Sequence, residues 1–239
     1  DDLGGPVDRL RGGWLIPVLA SIAQAAQDGF ARPDIDWHAL APELVLVGVL
    51  CLVLVADLLL PEDRKGVLPS LAGLGLLGAL VPVLTLAVDG VDRTMFGGAY
   101  AVDNFALVTK ALFLVAGYVT VLLSTNYIAE GDYAEGEYYF LLLSSILGMT
   151  VMASARDLIS IFVALELLSI PAYMLAAWRK RDLKGNEAGL KYYLMGVFAS
   201  AVMLYGMSLL FGLTGSTLLA DIGAAVATGD GIGGSTPFI

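Results

Sequence analysis

The sequence has little of what a metalloprotein or a disulfide-stabilised protein needs. Its 239 residues include one cysteine, Cys51, and one histidine, His38. With one of each, neither a disulfide framework nor a Cys/His metal cluster can form within the chain. We therefore expect no metal site here, and any redox metal must belong to a partner.

Positive charge is also scarce, with 13 Lys and Arg residues against 23 Asp and Glu residues. The basic residues are scattered rather than clustered, which argues against a nucleic-acid-binding surface. The chain lacks the G-x-x-x-x-G-K-[ST] loop and the strand-linked G-x-G-x-x-G turn of nucleotide sites. We expect no nucleic-acid partner and no cofactor bound by this chain.

What the chain has in abundance is apolar sequence. Hydrophobic residues make up 58% of it, charged residues only 15%, and the mean hydropathy is +0.80. Hydrocarbon offers the backbone no hydrogen-bond partners, so long apolar runs must form helices. The composition predicts an all-α, polytopic transmembrane helix bundle whose surroundings are the lipid bilayer.

Six segments approach the ~20 apolar residues that a transmembrane helix needs. We place them at 41–60, 67–88, 104–124, 138–154, 157–178 and 188–213. Residues 41–213 then form the helix bundle, and residues 1–40 form an N-terminal tail that is interfacial or disordered. Residues 214–239 read as a Gly-rich loop leading to missing spans, so we expect a piece of a longer protein.

Basic residues near the span ends predict the orientation, because cytoplasmic loops carry an excess of Lys and Arg. The 179–187 connection holds several of them, and alternation puts Arg64 and Lys65 on the same side. In the connections on the other side, Arg93 and Arg156 are the only basic residues. This favours an N-terminus outside, although the arginines of the tail favour the opposite.

One acidic residue, Glu166, interrupts the fifth span near its middle. Counting from Asp157 at ~1.5 Å per residue puts it about 13–14 Å into a hydrocarbon core of ~30 Å. A charge at that depth costs at least about 2.5–3.5 kcal/mol, so it is rare without a partner or a task. Two readings stay open: a protonated or hydrogen-bonded packing residue, or a group that relays protons or cations.

Polar residues follow Glu166 along one face of the predicted helix. Ser169 and Tyr173 come at i+3 and i+7, so the three side chains form a stripe suited to protein or water rather than lipid. Pro171 cannot donate a backbone hydrogen bond, which leaves the Leu167 carbonyl without its usual partner. The charge of Glu166, the polar stripe and the helix-breaking proline occur together, which favours the interpretation of Glu166 as a relay group.

Two lysines enter the predicted spans. Lys191 follows Glu187 by four residues, which is typical of an exposed ion pair but leaves a functional role equally open. Lys110 lies about 9 Å into the third span, deep enough to need a partner and shallow enough to snorkel to the interface. It is a secondary candidate. Glu43 opens the first span and is expected to be a capping or interfacial group.

Two segments carry a family resemblance. Residues 164–175, Ala-Leu-Glu-Leu-Leu-Ser-Ile-Pro-Ala-Tyr-Met-Leu, and residues 186–206, which begin Asn-Glu-Ala-Gly-Leu-Lys-Tyr-Tyr, closely resemble the antiporter-like membrane subunits of respiratory complex I. Pro42-Glu43 and Val102-Asp-Asn-Phe-Ala-Leu are compatible with it. The resemblance covers roughly residues 33 to 220, and its two central motifs are long and specific.

The resemblance implies a function and site residues. Glu166 matches the family's glutamate on the fifth helix, and Lys191 matches the lysine of its Glu-Ala-x-x-Lys-Tyr motif, both as proton-relay residues. The lysine that pairs with that glutamate lies on a later, broken helix outside this sequence.

The implied protein is a translocase subunit of a proton-pumping NADH-quinone oxidoreductase in the bacterial plasma membrane, with no redox chemistry of its own. NADH, FMN, iron–sulfur clusters and quinone are expected in partner subunits, and the other membrane subunits of the complex are the expected partners.

Other classes share these motifs. A subunit of a multi-subunit cation/proton antiporter, or of a pump driven by ferredoxin or F420H2, would look almost the same over this range. Co-purification with quinone-site and iron–sulfur subunits favours complex I, whereas sodium-dependent transport without redox partners favours the antiporter. A purely structural scaffold predicts that Glu166 tolerates an apolar residue of similar volume.

Overall fold

A computed structural model describes residues 35–90, 92–129, 135–179 and 182–228 of the chain. Over these residues the long helices are α1 (Ala41–Leu59), α2 (Leu68–Asp89), α3 (Asn104–Ala129), α4 (Glu135–Ser154), α5 (Leu158–Ala176) and α6 (Leu183–Thr214). Each of the six is long and apolar enough to cross a membrane. The predicted six-span, all-α multi-pass membrane fold is confirmed, with helix ends that differ by a few residues from those expected. The tail proper, residues 1–34, lies outside the described residues.

Shorter elements connect some of the helices. A 3-10 helix, Glu62–Val67, precedes α2, and strands β1 (Arg93–Met95) and β2 (Tyr100–Val102) form an antiparallel hairpin between α2 and α3. The turn of the hairpin contains Gly97 and Gly98, whose φ angles of 65° and 93° lie in the left-handed region that glycine adopts without strain.

The segment after α6 is partly helical, which corrects the expectation of a loop over residues 214–239. Residues Leu219–Thr228 form a seventh helix, α7. The Ser216 hydroxyl accepts from the Leu218 backbone at 3.1 Å and bonds to the Asp221 carboxylate at 2.8 Å, so it organises the start of this helix. The alanines of α7 are strong helix formers, which outweighs the single Gly223 within it. Residues 229–239 lie outside the described part of the chain.

Helix α4 is central in this arrangement and α6 is peripheral. Helix α4 contacts α1, α2, α3 and α5, while α6 packs mainly on α5 and α7. Accordingly, 56% of the apolar stretch of α4 is buried, against 6% for α6. The fifth helix therefore lies with one side on the core helix α4 and another on α6.

Backbone hydrogen bonds join three connections at one end of the bundle. The Arg156 nitrogen donates to the Ala99 oxygen at 2.8 Å, and the Leu219 nitrogen donates to the Arg156 oxygen at 3.0 Å. The Leu158 nitrogen donates to the Thr217 oxygen at 2.9 Å. We call this the hairpin end, defined by the β1–β2 hairpin with residues 155–157 and 215–218. The other end is the opposite end.

Candidate functional site

The start of α5 is fixed by an N-terminal cap. The Asp157 carboxylate accepts hydrogen bonds from the backbone nitrogens of Ile159 and Ser160, both at 3.1 Å. These are two of the donors that the first turn of a helix leaves unpaired. Asp157 is therefore the N-cap of α5, and this start places Glu166 near the middle of the helix.

Glu166 lies partly buried on α5, and its carboxylate is incompletely bonded. Its Oε1 atom is buried and has no hydrogen-bond partner in the described part of the chain. A buried carboxylate oxygen is costly unless it binds a proton, a water molecule or a cation.

The backbone beside Glu166 is in close contact with α4. A Cβ atom at Gly148 would lie 2.5 Å from the Leu168 nitrogen and 2.9 Å from the Ala164 oxygen. The Ser145 hydroxyl of α4 donates to the Leu168 carbonyl at 3.0 Å, next to the Leu167 carbonyl that the buried Pro171 cannot satisfy. Helix α4 thus packs directly against the proline region of α5.

Tyr173 joins α5 to α6. It is buried, with 8% of its surface exposed, and its ring meets those of Tyr192 and Tyr193 edge-on at centroid distances of 4.8 and 5.9 Å. Gly196 lies directly against its hydroxyl, because a Cβ atom there would be 2.0 Å from that oxygen. Ser169 is only partly buried. The stripe therefore faces protein at Tyr173, as predicted.

The structure does not join Lys191 to Glu166. The Lys191 ammonium pairs with the Glu187 carboxylate one turn earlier on α6, and the two side chains are 72% and 65% exposed. This is the exposed i,i+4 pair that the spacing allows. The two residues expected to form the relay therefore occupy different environments in the described chain, one partly buried on α5 and one exposed on α6.

Lys110 is the most completely buried of the candidates, and Glu43 is its partner. The Lys110 side chain is 0% exposed and its Nζ lies 2.7 Å from Glu43 Oε1. The expectation that Glu43 caps or lies at the interface is wrong, because its side chain is only 9% exposed and packs inside the bundle. Helical side chains lean toward the helix N-terminus, so the lysine stem reaches back along α3 to the first turn of α1.

Tyr100 of β2 completes this cluster. The Lys110 ammonium donates to the Tyr100 hydroxyl at 2.8 Å. Burial, followed by the negative charge of Glu43, raises the pKa of Tyr100 above its ordinary value, so the phenol stays protonated. Sequence reasoning missed the cluster, since nothing in the spacing of three residues on separate elements reports their contact. The depth of Lys110, which demanded a partner, was the available signal.

Aspartates at the hairpin end are paired with arginines. Asp36 meets Arg93 at 2.6 Å, and a hydrogen bond from the Ala39 nitrogen, together with Arg93, holds the pKa of Asp36 below its usual range. Asp103 meets Arg156 at 2.7 Å. Burial alone would raise the pKa of Asp103, but hydrogen bonds from the Ala106 nitrogen and the Arg156 guanidinium outweigh it and lower the pKa.

Several known proteins are similar to this chain in sequence or fold. Residues 155–236 match the family described as NADH:quinone oxidoreductase/Mrp antiporter, TM. NADH-quinone oxidoreductase subunit N of Anoxybacillus flavithermus is 40% identical over 195 residues, 81% of this chain and 39% of that protein. NAD(P)H-quinone oxidoreductase subunit 2 of Picosynechococcus is 38% identical over 185 residues, 77% of this chain and 35% of that protein.

Solved structures are also similar to this chain. A chain of respiratory complex I from Thermus thermophilus is 37% identical with a TM-score of 0.63, covering 74% of this chain and 38% of that one. A chain of an archaeal membrane-bound sulfane sulfur reductase has a TM-score of 0.69 at 21% identity, covering 82% of this chain and 41% of that one, and shows the fold alone.

The helix bundle, with a charged residue in the middle of its fifth span, has the fold of the antiporter-like membrane subunits of respiratory complex I. Within that class the chain is similar to NADH-quinone oxidoreductase subunit N. The chain spans about two fifths of the length of the relatives it matches.

Proposed function

We propose that the full-length protein is a membrane subunit of a bacterial proton-pumping NADH-quinone oxidoreductase and contributes a proton-translocation channel. The observation that carries this is the Glu166 carboxylate, which lies at mid-span with a buried oxygen that no described residue hydrogen-bonds. Intramembrane carboxylates of this kind typically mark proton relays. The names of the similar proteins favour a quinone oxidoreductase over a cation/proton antiporter.

The redox chemistry of the proposed complex belongs to other subunits. Iron–sulfur clusters are held mainly by cysteine thiolates, and a chain segment with a single cysteine cannot supply such a set. In the proposed complex NADH, FMN, the clusters and quinone bind in partner subunits, while this chain contacts other membrane subunits and lipid. Quinone reduction in those subunits drives the proton across.

Lys191 is the second proposed relay residue, on the strength of its motif. It lies on α6, the helix with the smallest buried share, so its exposed ammonium is available to groups that approach α6 in the full-length protein. Ser169 and Tyr173 support the relay from the α5 stripe, and Pro171 helps to shape it. Lys110 belongs to a separate cluster.

The proposed orientation has the hairpin end, and with it the start of α1, on the outer side of the bacterial plasma membrane. The basic residues at the opposite end, including Arg64, Lys65 and those of the 179–187 connection, support this by the excess of positive charge in cytoplasmic loops. At the hairpin end, Arg93 and Arg156 are both neutralised by aspartates.

The test is Glu166→Gln in the full-length protein within its intact complex. We expect assembly and electron transfer from NADH to quinone to persist while the number of protons translocated per NADH falls, because the amide cannot carry the proton. The matched control is Glu137→Gln on α4, an exposed glutamate outside the buried region.

Unchanged proton translocation in the Glu166→Gln complex would rule out the relay role. Purification of the protein without any redox partner, together with sodium-dependent transport, would instead assign it to the antiporter class. Proton-to-electron ratios in reconstituted vesicles and the subunit composition of the purified complex measure these two outcomes separately.

A further inference from the structure

The hairpin end holds a second set of titratable side chains, which the relay proposed at Glu166 does not use. Glu43 comes from α1, Lys110 from α3 and Tyr100 from β2. Lys110 Nζ lies 2.7 Å from Glu43 Oε1 and 2.8 Å from the Tyr100 hydroxyl. The side chains of Lys110 and Glu43 are 0% and 9% exposed, so the groups meet away from solvent.

The hydrogen bonding of this cluster is incomplete. Both Glu43 oxygens are buried, and neither meets hydrogen-bond geometry, so the ion pair is the contact that holds the carboxylate. The Ser154 hydroxyl is 0% exposed and lies beside Tyr100, where it interacts with the phenol. Buried groups with unused acceptor sites have capacity for an added proton or a water molecule.

We propose that Glu43, Lys110 and Tyr100 form a second proton-holding site in the same bundle, a proposal that rests on the proton-translocating function above. In the ion pair, the proton resides on Lys110. Its transfer from Nζ to Glu43 Oε1 breaks one N–H bond and forms one O–H bond. The products are a neutral amine and a carboxylic acid, and the total charge does not change.

The positions of Glu43 and Lys110 along their helices indicate the direction in which a proton would move through the site. Glu43 lies in the first turn of α1, whereas Lys110 lies about 9 Å along α3. The backbone of Glu43 is thus nearer to the hairpin end than that of Lys110, and in the proposed exchange Glu43 releases the proton there. The neutral amine then takes up a proton from the interior of the bundle, which restores the ion pair.

The groups around Glu43 and Lys110 are compatible with proton transfer between them. Tyr100 remains a neutral phenol, so its hydroxyl accepts from the lysine ammonium and donates to the neutral amine, which keeps that nitrogen in place in both states. The other charges facing the site from nearby elements are Asp103, which attracts the Lys110 ammonium, and Arg156, which pairs with Asp103 at 2.7 Å. The pairing with Arg156 offsets part of the negative charge that Asp103 presents to the cluster.

A purely structural ion pair would fit the same distances, and Lys110→Arg separates the two roles. Arginine keeps the positive charge and the pairing with Glu43, but its guanidinium does not release a proton in proteins. A structural pair therefore tolerates this change, whereas a proton-holding site does not.

The experiment measures protons translocated per NADH by the intact complex in vesicles, for Lys110→Arg, Glu166→Gln and the double variant. We expect assembled Lys110→Arg complexes to lose as much translocation as Glu166→Gln complexes, and the double variant to lose no more. The control is Asp57→Asn, which breaks the ion pair with Lys65 at 3.3 Å at the opposite end and should leave the ratio unchanged.

Normal translocation by Lys110→Arg complexes, alongside a loss in Glu166→Gln complexes, overturns the second site and leaves the proposed function standing. A loss in Lys110→Arg complexes alone supports the second site and removes the role of Glu166. If arginine prevents assembly, Glu43→Gln takes its place, since it removes the acceptor. Unchanged translocation in assembled Glu43→Gln complexes then refutes the proposal.

Discussion

The contact between α4 and α5 at Gly148 provides a demanding test of the packing beside Glu166. A Cβ atom added there would lie 2.5 Å from the Leu168 nitrogen and 2.9 Å from the Ala164 oxygen. Both are backbone atoms, so no side-chain rotation relieves the clash. Gly148→Ala must therefore move the two helix backbones apart by about 1 Å before ordinary van der Waals contact returns.

Two terms set the size of the effect. Overpacking of this kind destabilises a protein by about 1–3 kcal/mol. The same displacement stretches the Ser145–Leu168 hydrogen bond from 3.0 Å to beyond bonding distance. Because interhelical hydrogen bonds in membranes are worth about 0.6 kcal/mol on average, we expect Gly148→Ala to cost about 2–4 kcal/mol in all. The double variant with Ser145→Ala should cost less than the sum of the singles, since the bond is already broken.

Unfolding of the purified full-length protein by SDS in mixed micelles measures this cost. The matched control is Gly78→Ala on α2, where the nearest atom, Val45 Cγ1, would lie at an ordinary 3.8 Å. Alanine there gains up to about 1 kcal/mol of helix propensity. If the Gly148 and Gly78 variants unfold at the same SDS fraction, the close approach of α4 to α5 is wrong.

Two further predictions concern the hairpin end. The lowered pKa of Asp103 means that its stabilising contribution is present above the ordinary aspartate value of about 3.9 and is lost as the pH falls through the lower folded value. The protection factors of the amides there should fall on acidification below about pH 4, and Arg156→Met should shrink this pH dependence because the folded pKa of Asp103 then lies closer to the unfolded value; an unchanged dependence contradicts the pairing. In a Cys51→Ser background, an impermeant thiol reagent outside intact cells should label Thr94→Cys but not Leu183→Cys. Labelling of the second variant alone would invert the orientation.

Hydropathy predicted the six spans because each long apolar run has only one way to satisfy its backbone in a bilayer. The cap at Asp157 was likewise a local feature, readable from one residue and the run that follows it. The sequence did not reveal the hairpin at 93–102 because each strand has only three residues. It did not reveal α7 because Gly223, the small residues of the helix and the Gly-rich sequence that follows resemble a loop.

The candidate site was predictable to the extent that its signals were local. Glu166, the polar residues at i+3 and i+7 and the proline all lie on one helix. Their relative positions therefore follow directly from the sequence. The pairing of Glu43 with Lys110 joins residues 67 positions apart on separate helices. Only the packing of the bundle brings those two together, and a surface role for Glu43 was the reasonable local expectation.

The hydrogen bonds that join residues 155–158 to the hairpin and to residues 217–219 also act on α5 as a pivot. With its first residues held at one end, the helix can tilt only about that point, and displacement grows with distance along its axis. Glu166 lies about 12 Å from the pivot, so a tilt of about 5° would carry it roughly 1 Å, enough to make or break a hydrogen bond. A position in the middle of the span therefore shields the carboxylate from water and also lets a small tilt of α5 displace it by a large distance.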